Sequence, residues 1–372
     1  MKNVFFLIAF LCAACTSNTR ETIIVFDTNK SYPQKEISVQ DFSDITYVSL
    51  DDSILVTGRP RFITNSYIIY ANPTGEIILF DRQGHFVRMF CHKGSGPGEY
   101  PYIGNLLYDP YLDQLLIRYN NVILYYTMSG DFIRSVSVDP QYYLWDLKNY
   151  NEEYLLCNNT LSLSSAYVFV SKETGEVKDS IDLGLKANVE PFISIEKDGM
   201  NFRYSAQYYN QVNSLDGVLL SHISSDTFYC FNEKKNVKPV FIRTPSIHEQ
   251  TVPVFVNAWV ETSRYYFLST VEKKYDPETD EGFAPVYYMI EKENRQIYTS
   301  RILNKDIEGS TIDLDPRVLE RTMNARTGII ALTAEELLEE NEKGKIKSQR
   351  LIDLVNKLEK DSNPVIMLMD FK

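Results

Sequence analysis

The sequence predicts an all-β chain, a six-bladed β-propeller closed by an N-terminal strand and carrying a helical insert in its last blade. Three observations carry that expectation. Short runs of β-branched and aromatic residues alternate with polar turns along most of the chain. The turns that close successive sets recur at a nearly constant interval. The final set lacks an outer strand, while a spare β-like segment stands near the beginning.

Composition agrees with a packed β fold. The 372 residues are 44% apolar and 13% aromatic, with 26 Tyr, 20 Phe and 4 His. That content excludes intrinsic disorder. A net charge of −12 with no basic block excludes nucleic-acid binding and polybasic docking to anionic lipid.

The chain opens with an address. Lys2 is the only charge before Arg20, and Val4–Ala14 is an unbroken apolar run. About 20 such residues are needed to span a bilayer. The shorter run has the length of a signal-peptide core. Ala13-Ala14-Cys15 at its end resembles a bacterial lipoprotein box. The resemblance implies cleavage before Cys15 and lipidation of its thiol and new amino group. The alternative is an ordinary secretory signal with two incidental cysteines. Residues 1–14 are therefore expected as signal peptide, 15–34 as a lipid-anchored linker and 35–372 as the propeller. Cys91, Cys157 and Cys230 lie in strand-like runs without CxxC spacing, and are read as buried small hydrophobes.

The first set of strands is Tyr67–Ala71, Glu76–Phe80 and His85–Phe90. The second is Gln114–Tyr119, Val122–Tyr126 and Asp131–Val136, and the third Glu153–Asn158, Ala166–Val170 and Glu176–Ile181. Their last turns end in Gly84, Gly130 and Gly175, spaced 46 and 45 residues apart. Gly at that place suits a hairpin turn with positive φ. A fourth set, Gly217–Ile223 and Thr227–Phe231, turns at 232–235. A fifth, Tyr265–Val271 and Val286–Ile290, turns at 292–295. Each lies 60 residues after the previous turn, so inserted loops such as Glu272–Phe283 are expected. A repeat of about 40–50 residues containing about four strands is the signature of a propeller blade.

The sixth set contains strand-like Thr311–Leu314, Gly328–Thr333 and Pro364–Phe371. Between the last two lies a helical insert over about 334–360. Thr333-Ala-Glu-Glu336 forms a capping-box pattern, and Leu351, Leu354, Val355 and Leu358 recur at helical spacing. Gly344 splits the insert. Asp44–Leu50, placed beside the final strand, closes the ring and covers two open edges.

Lys93-Gly-Ser-Gly-Pro-Gly-Glu-Tyr100 is the most distinctive stretch. With the Asp81-x-x-Gly84 turn, Ile45–Leu50 and the closing 361–366 segment, it resembles a family of six-bladed, NHL-like β-propeller lipoproteins of Gram-negative bacteria. The resemblance covers about residues 35–372. It implies the fold and an outer-membrane lipoprotein facing the periplasm or the cell surface, and it is nearly silent on activity.

The glycine stretch does not fit a phosphate cradle. Pro97 removes a donor, no helix follows, and there is no Lys-Ser/Thr pair. It reads first as an inter-blade crossover locked by Glu99 and Tyr100. As a ligand loop, it would use the charges of Lys93 and Glu99 and the ring of Tyr100. His spacing shows no metal motif, and Asp276–Gly282 departs from a calcium loop in its Gly position. No nucleophile elbow is present. No cofactor, metal or catalytic residue is therefore assigned. Trp145-Asp146, Arg203-Tyr204 and Asn257 with Trp259 each stand at an expected inner-strand beginning. Aromatic faces flanked by Asp, Asn and Arg suit sugars or peptides. The alternative is ordinary packing between blades.

The function expected is non-enzymatic binding of a glycan, peptide or envelope protein by a propeller tethered to the membrane through its N-terminal lipid. The first alternative is an axial-site hydrolase or lyase, lactonase-like or acting on polysaccharide. The second is a structural scaffold.

Overall fold

A computed structural model of the chain describes residues 23–314 and 326–372, except positions 143, 160, 161, 198, 207, 233 and 235 and the side chains of 145, 258 and 259. The segment expected as a signal peptide and Cys15 lie outside the described residues.

Three strands come before the first blade. They are β1 (Ile24–Asp27), β2 (Gln34–Ser38) and, after one turn of 3-10 helix at Val39–Asp41, β3 (Ser43–Val48). Blade one is the meander β4 (Phe62–Ile63), β5 (Tyr67–Ala71), β6 (Glu76–Asp81) and β7 (Phe86–Cys91). Blade two is β8 (Asn105–Asp109), β9 (Gln114–Tyr119), β10 (Val122–Thr127) and β11 (Phe132–Ser137). Blade three is β12 (Leu144–Asn149), β13 (Tyr154–Asn159), β14 (Tyr167–Ser171) and β15 (Val177–Ile181). A separate hairpin, β16 (Phe192–Lys197) and β17 (Met200–Ser205), comes before blade four. That blade is β18 (Gln211–Ser214), β19 (Gly217–Leu220), β20 (Thr227–Phe231) and β21 (Val237–Thr244).

Blade five starts with β22 (Val254–Glu261) and β23 (Tyr265–Glu272). A small hairpin, β24 (Tyr275–Asp276) and β25 (Glu281–Gly282), interrupts it before β26 (Pro285–Glu291) and β27 (Ile297–Leu303). Blade six pairs β28 (Thr327–Leu332) with β29 (Val365–Phe371). Helices α1 (Ala334–Glu342) and α2 (Gln349–Val355) are inserted between them. The expected closure is present: β3 lies antiparallel to β29, with Val48 opposite Ile366 and Ser43 opposite Phe371.

The N-terminal segment does more than close the ring. β1 adds in parallel to the outer strand of blade four, with Ile24 beside Phe241, and β2 adds in parallel to β27. Ile24–Asp27 falls inside the stretch expected as linker, yet it is a paired strand. Its apolar run 23–26 supplies the reason. Phe26 is fully buried, stacked near Tyr32 and Phe241 and edge-on to Tyr288. The expected strand Thr311–Leu314 is a second correction. Thr311 makes one isolated bridge to Leu303, and the segment turns Ile312 and Leu314 into the core instead of extending a ladder.

The core lies between blades. Ile69, Leu79, Ile117 and Tyr126 fill the space between blades one and two, and Leu116, Tyr125, Leu155 and Val168 that between two and three. Blades one to four share a register shift in the ladder of their last two strands. Such bulges sharpen the twist of an outer strand. The spaced glycines have a second purpose besides turning. Gly84 has φ +93°, and a Cβ there would stand 2.0 Å from the Ser49 carbonyl oxygen. Gly130, at φ +95°, would meet the Phe90 ring at 2.6 Å. Each turn thus docks on the outer rim of the neighbouring blade, which accounts for the regular interval.

Thr333 caps α1 through its side chain, accepting from the Glu336 N–H at 3.2 Å. Leu337, Leu351 and Val355 are buried, so the two helices cover the side of the ring. Among the described residues no helix is long and apolar enough to cross a membrane. Of the cysteines, Cys157 is buried, but Cys230 is half-buried and Cys91 exposed. Cys91 ends the outermost strand of blade one, where five of the six residues are exposed, so the expected burial does not hold there.

Candidate functional site

The first strands of neighbouring blades approach one another: β4 meets β8, β8 meets β12, and β18 meets β22. These strands surround the axis of the ring. A cavity of about 140 Å³ opens among them, and blades one to four all contribute to its wall. Arg61 and Phe62 come from blade one, and Asn105 and Tyr108 from blade two. Blade three brings Asp146, Lys148 and Asn149, and blade four Asn213.

The inner strand β12 runs along this wall. Asp146, Leu147, Lys148 and Asn149 all border the cavity, and Leu147, opposite Cys157, also packs into the core between blades two and three. A register shift between Leu144 and Leu147 re-aims the strand at this point. The amides are partly committed. Asn105 accepts from Arg118 Nε at 3.0 Å, and Asn149 donates to the Tyr108 carbonyl at 2.6 Å. Gln211 donates to the Asp146 carbonyl at 2.9 Å and thereby ties blade four to the wall.

Two groups are left over. Asn149 Oδ1 is buried and has no hydrogen-bond partner among the described residues. Lys148 is 8% exposed, and its ammonium makes no hydrogen bond or ion pair among the described residues. Arg61 stands exposed at the rim. The wall thus holds two cations against the single carboxylate of Asp146, in a chain whose net charge is −12.

A larger cleft of about 380 Å³ lies between blades four and five, lined in part by Ser214, Cys230, Glu261 and Lys292. Its buried acid is already satisfied. Glu261 pairs with Lys292 at 2.7 Å and accepts from Leu215 N–H at 3.1 Å and from the Ser214 hydroxyl. The axial cavity keeps unspent polar groups, and is therefore the candidate site. Among the described residues no group of three His, Cys, Asp or Glu is placed to hold a metal ion.

The residues singled out from sequence fall in different places. Asp146 lines the axial cavity. Trp145 is on the same strand and Trp259 on β22, but both side chains lie outside the described residues. Asn257 is on β22, buried, with Nδ2 3.4 Å from Ser269 Oγ. Lys93, Glu99 and Tyr100 are not in the cavity wall. Tyr100 is fully buried and donates to the Gly75 carbonyl at 2.7 Å, so its ring offers no stacking face. Glu99 folds back to accept from the Gly96 N–H at 2.8 Å, and Tyr126 donates to the Gly98 carbonyl at 2.6 Å. This stretch is the lock between blades one and two.

Arg203 and Tyr204 were expected on an inner strand and lie on the β16–β17 hairpin instead. Tyr204 stacks on Tyr275 at 3.8 Å, and Arg203 covers the Phe192 ring at 4.5 Å. The hairpin is an insertion, which displaces the inner strand of blade four to Gln211–Ser214. Sequence reasoning missed Arg61, Asn105, Lys148, Asn149 and Asn213. The polar Asp-Leu-Lys-Asn run directly after Trp145 was the available signal.

A family model described as a domain of unknown function, DUF4934, matches residues 22–370. The chain is similar to the crystal structure of a putative exported protein from Bacteroides fragilis. That match has a TM-score of 0.60 at 15% identity and covers 94% of this chain and all of the other. It is also similar to a DUF4221 member from Bacteroides vulgatus, with a TM-score of 0.48 at 10% identity, covering 89% and 97% of the two chains. No curated protein matches the sequence.

Proposed function

The chain belongs to the DUF4934 family, and from that premise and the chemistry of its axial cavity we propose that it is a ligand-binding module of the cell envelope. The ligand is a glycan, a peptide or a segment of an envelope protein, and it enters the ring at the face where blades one to four converge. One observation supports this above the others: four blades send hydrogen-bonding side chains into one cavity, and Asn149 Oδ1 and Lys148 are left unpaired there among the described residues. Buried polar groups are paired in folded proteins, and a bound ligand supplies the missing partners. The volume of about 140 Å³ is below the usual range for drug-sized ligands, about 300–1,000 Å³. The cavity therefore takes one ring or one chain end.

In this reading Cys15 is the lipid-bearing residue of an exported protein. The test uses the full-length chain on glycan and peptide arrays, with Asn149→Leu as the control. Binding that disappears in the variant while thermal stability holds supports the reading. Array binding that Asn149→Leu leaves intact places the ligand elsewhere and overturns it.

A further inference from the structure

Resting on the axial cavity as the ligand site, we propose that the ligand is an acidic sugar: a uronate-type ring whose carboxylate pairs with Lys148 and Arg61 while its hydroxyls bond to the asparagine wall.

The argument begins with Lys148. Its side chain lines the cavity at 8% exposure and has no counter-ion among the described residues. A ligand seated in the cavity would cover this ammonium, and removing it from water is costly unless the ligand brings a hydrogen-bonded partner. The complementary partner is an anion small enough for about 140 Å³. Arg61 at the rim adds a second positive charge, so the cavity is locally cationic in an acidic protein. The contrast favours anions at this one place and repels them over most of the surface.

The rest of the wall decides which anion. Phosphate and sulfate present almost only acceptor oxygens. They would satisfy Lys148 but leave Asn149 Oδ1 without a donor and set anionic oxygens beside Asp146. A uronate carries both kinds of group. Its carboxylate accepts from Lys148 and Arg61, and its hydroxyls donate to Asn149 Oδ1 and to Asp146. Asn213 comes from a further blade, so polar groups reach the ring from more than one side. Phe62 and Tyr108, with ring centroids 6.2 Å apart, add apolar surface for the C–H face of a sugar.

The experiment is titration calorimetry of the full-length chain with oligosaccharides bearing galacturonate, mannuronate or glucuronate. The comparison probes are their methyl esters, inorganic phosphate and trialanine with a free carboxylate. A hydrogen bond to a charged group is worth about 1.5–3 kcal/mol, which is more than about tenfold in affinity. The expected result is binding of at least one uronate probe, weakened more than about tenfold by esterification and by Lys148→Met and largely kept by Lys148→Arg. Lys148→Met should also melt close to the wild type, because the ammonium has no partner among the described residues to lose. Esters that bind as tightly as acids, or phosphate or trialanine binding as well as the uronates, would overturn the acidic-sugar inference. Neutral probes lost in Asn149→Leu would leave the axial site standing while the acidic sugar falls. Absence of binding by every uronate also overturns the inference, and the array experiment then decides the fate of the site itself.

Discussion

Asp109 and Lys172 form a buried ion pair that holds the axial wall together, and cutting it should be severe. Asp109 ends β8 beside Tyr108 of the cavity, and Lys172 follows β14 in blade three. Their side chains are 0% and 3% exposed and meet at 2.6 Å. Asp109 also accepts from the Tyr111 N–H at 3.0 Å, and the Lys172 ammonium sits 5.0 Å from the Tyr111 ring centroid. Burial holds the Lys172 ammonium below the ordinary lysine range, against the upward pull of Asp109. Lys172→Met strands a carboxylate whose other side-chain bond among the described residues is that single N–H. Removing one partner of a buried pair costs about 3–5 kcal/mol. That is about a fifth or more of the stability of a typical domain, about 5–15 kcal/mol. Asp109→Asn added to Lys172→Met removes the stranded charge and keeps an acceptor for Tyr111. The double variant should recover to within about 1–2 kcal/mol of wild type, since apolar or neutral replacements of buried pairs are often nearly neutral. Urea denaturation of wild type, both single variants and the double variant gives the coupling directly, provided m stays constant. Additive losses, with the double variant as unstable as the summed singles, would refute the claim that the pair is electrostatically coupled.

Three further outcomes follow from the geometry. Gly84→Ala should cost at least about 2 kcal/mol, combining left-handed strain of about 1–2 kcal/mol with the Ser49 clash, while Gly309→Ala, at φ +77° with open space around it, should show the strain alone. Equal denaturation midpoints for the two would remove the docking account of the turns. Tyr100 and Tyr125 are pushed up to about 12 by burial, from an ordinary 10.0. A raised folded-state value means that their contribution is intact below pH 10 and is lost as pH climbs toward 12, at about 1.4 kcal/mol per pH unit for each ring. Because the Tyr125 hydroxyl makes no well-formed hydrogen bond among the described residues and has only the Arg134 guanidinium close by, Tyr125→Phe should be mild at pH 7 yet flatten that alkaline slope. An unchanged slope in stability curves would contradict it. Finally, exposed Cys91 should react with a thiol reagent in the native protein, whereas Cys157 should react only on unfolding. Peptide mapping that finds both labelled at one rate would argue against the burial of β13.

Much of the ring was legible because its logic is local. Tyr67–Ala71, Gln114–Tyr119 and Thr227–Phe231 run as read, since β-branched and aromatic runs between turn residues mark middle strands well. Closure by 43–48 was readable from strand counting. Inner strands were harder. β4 spans two residues, and β8 opens on Asn105. Lys148 looks in sequence like any outward lysine of a strand, because only the meeting of several blades makes its position interior. Arg203 and Tyr204 were misplaced by the same cause in reverse. A hairpin outside the ring has the alternation of a blade strand, and sequence alone does not say which sheet a strand joins. The parallel edge strand at Ile24–Asp27 pairs with residues more than two hundred positions away, beyond the reach of any local pattern.

That remote pairing has a consequence for how the molecule is made. Residues 24–48 supply edges to three sheets whose other members end at Thr244, Leu303 and Phe371. During synthesis at about 5–20 residues per second, the opening strands emerge on the order of tens of seconds before the last of their mates. For that interval an apolar, β-prone tail trails from half-built sheets. These early-made strands are thus among the last to be stitched in, and any factor escorting this protein before it folds would have its most valuable grip there.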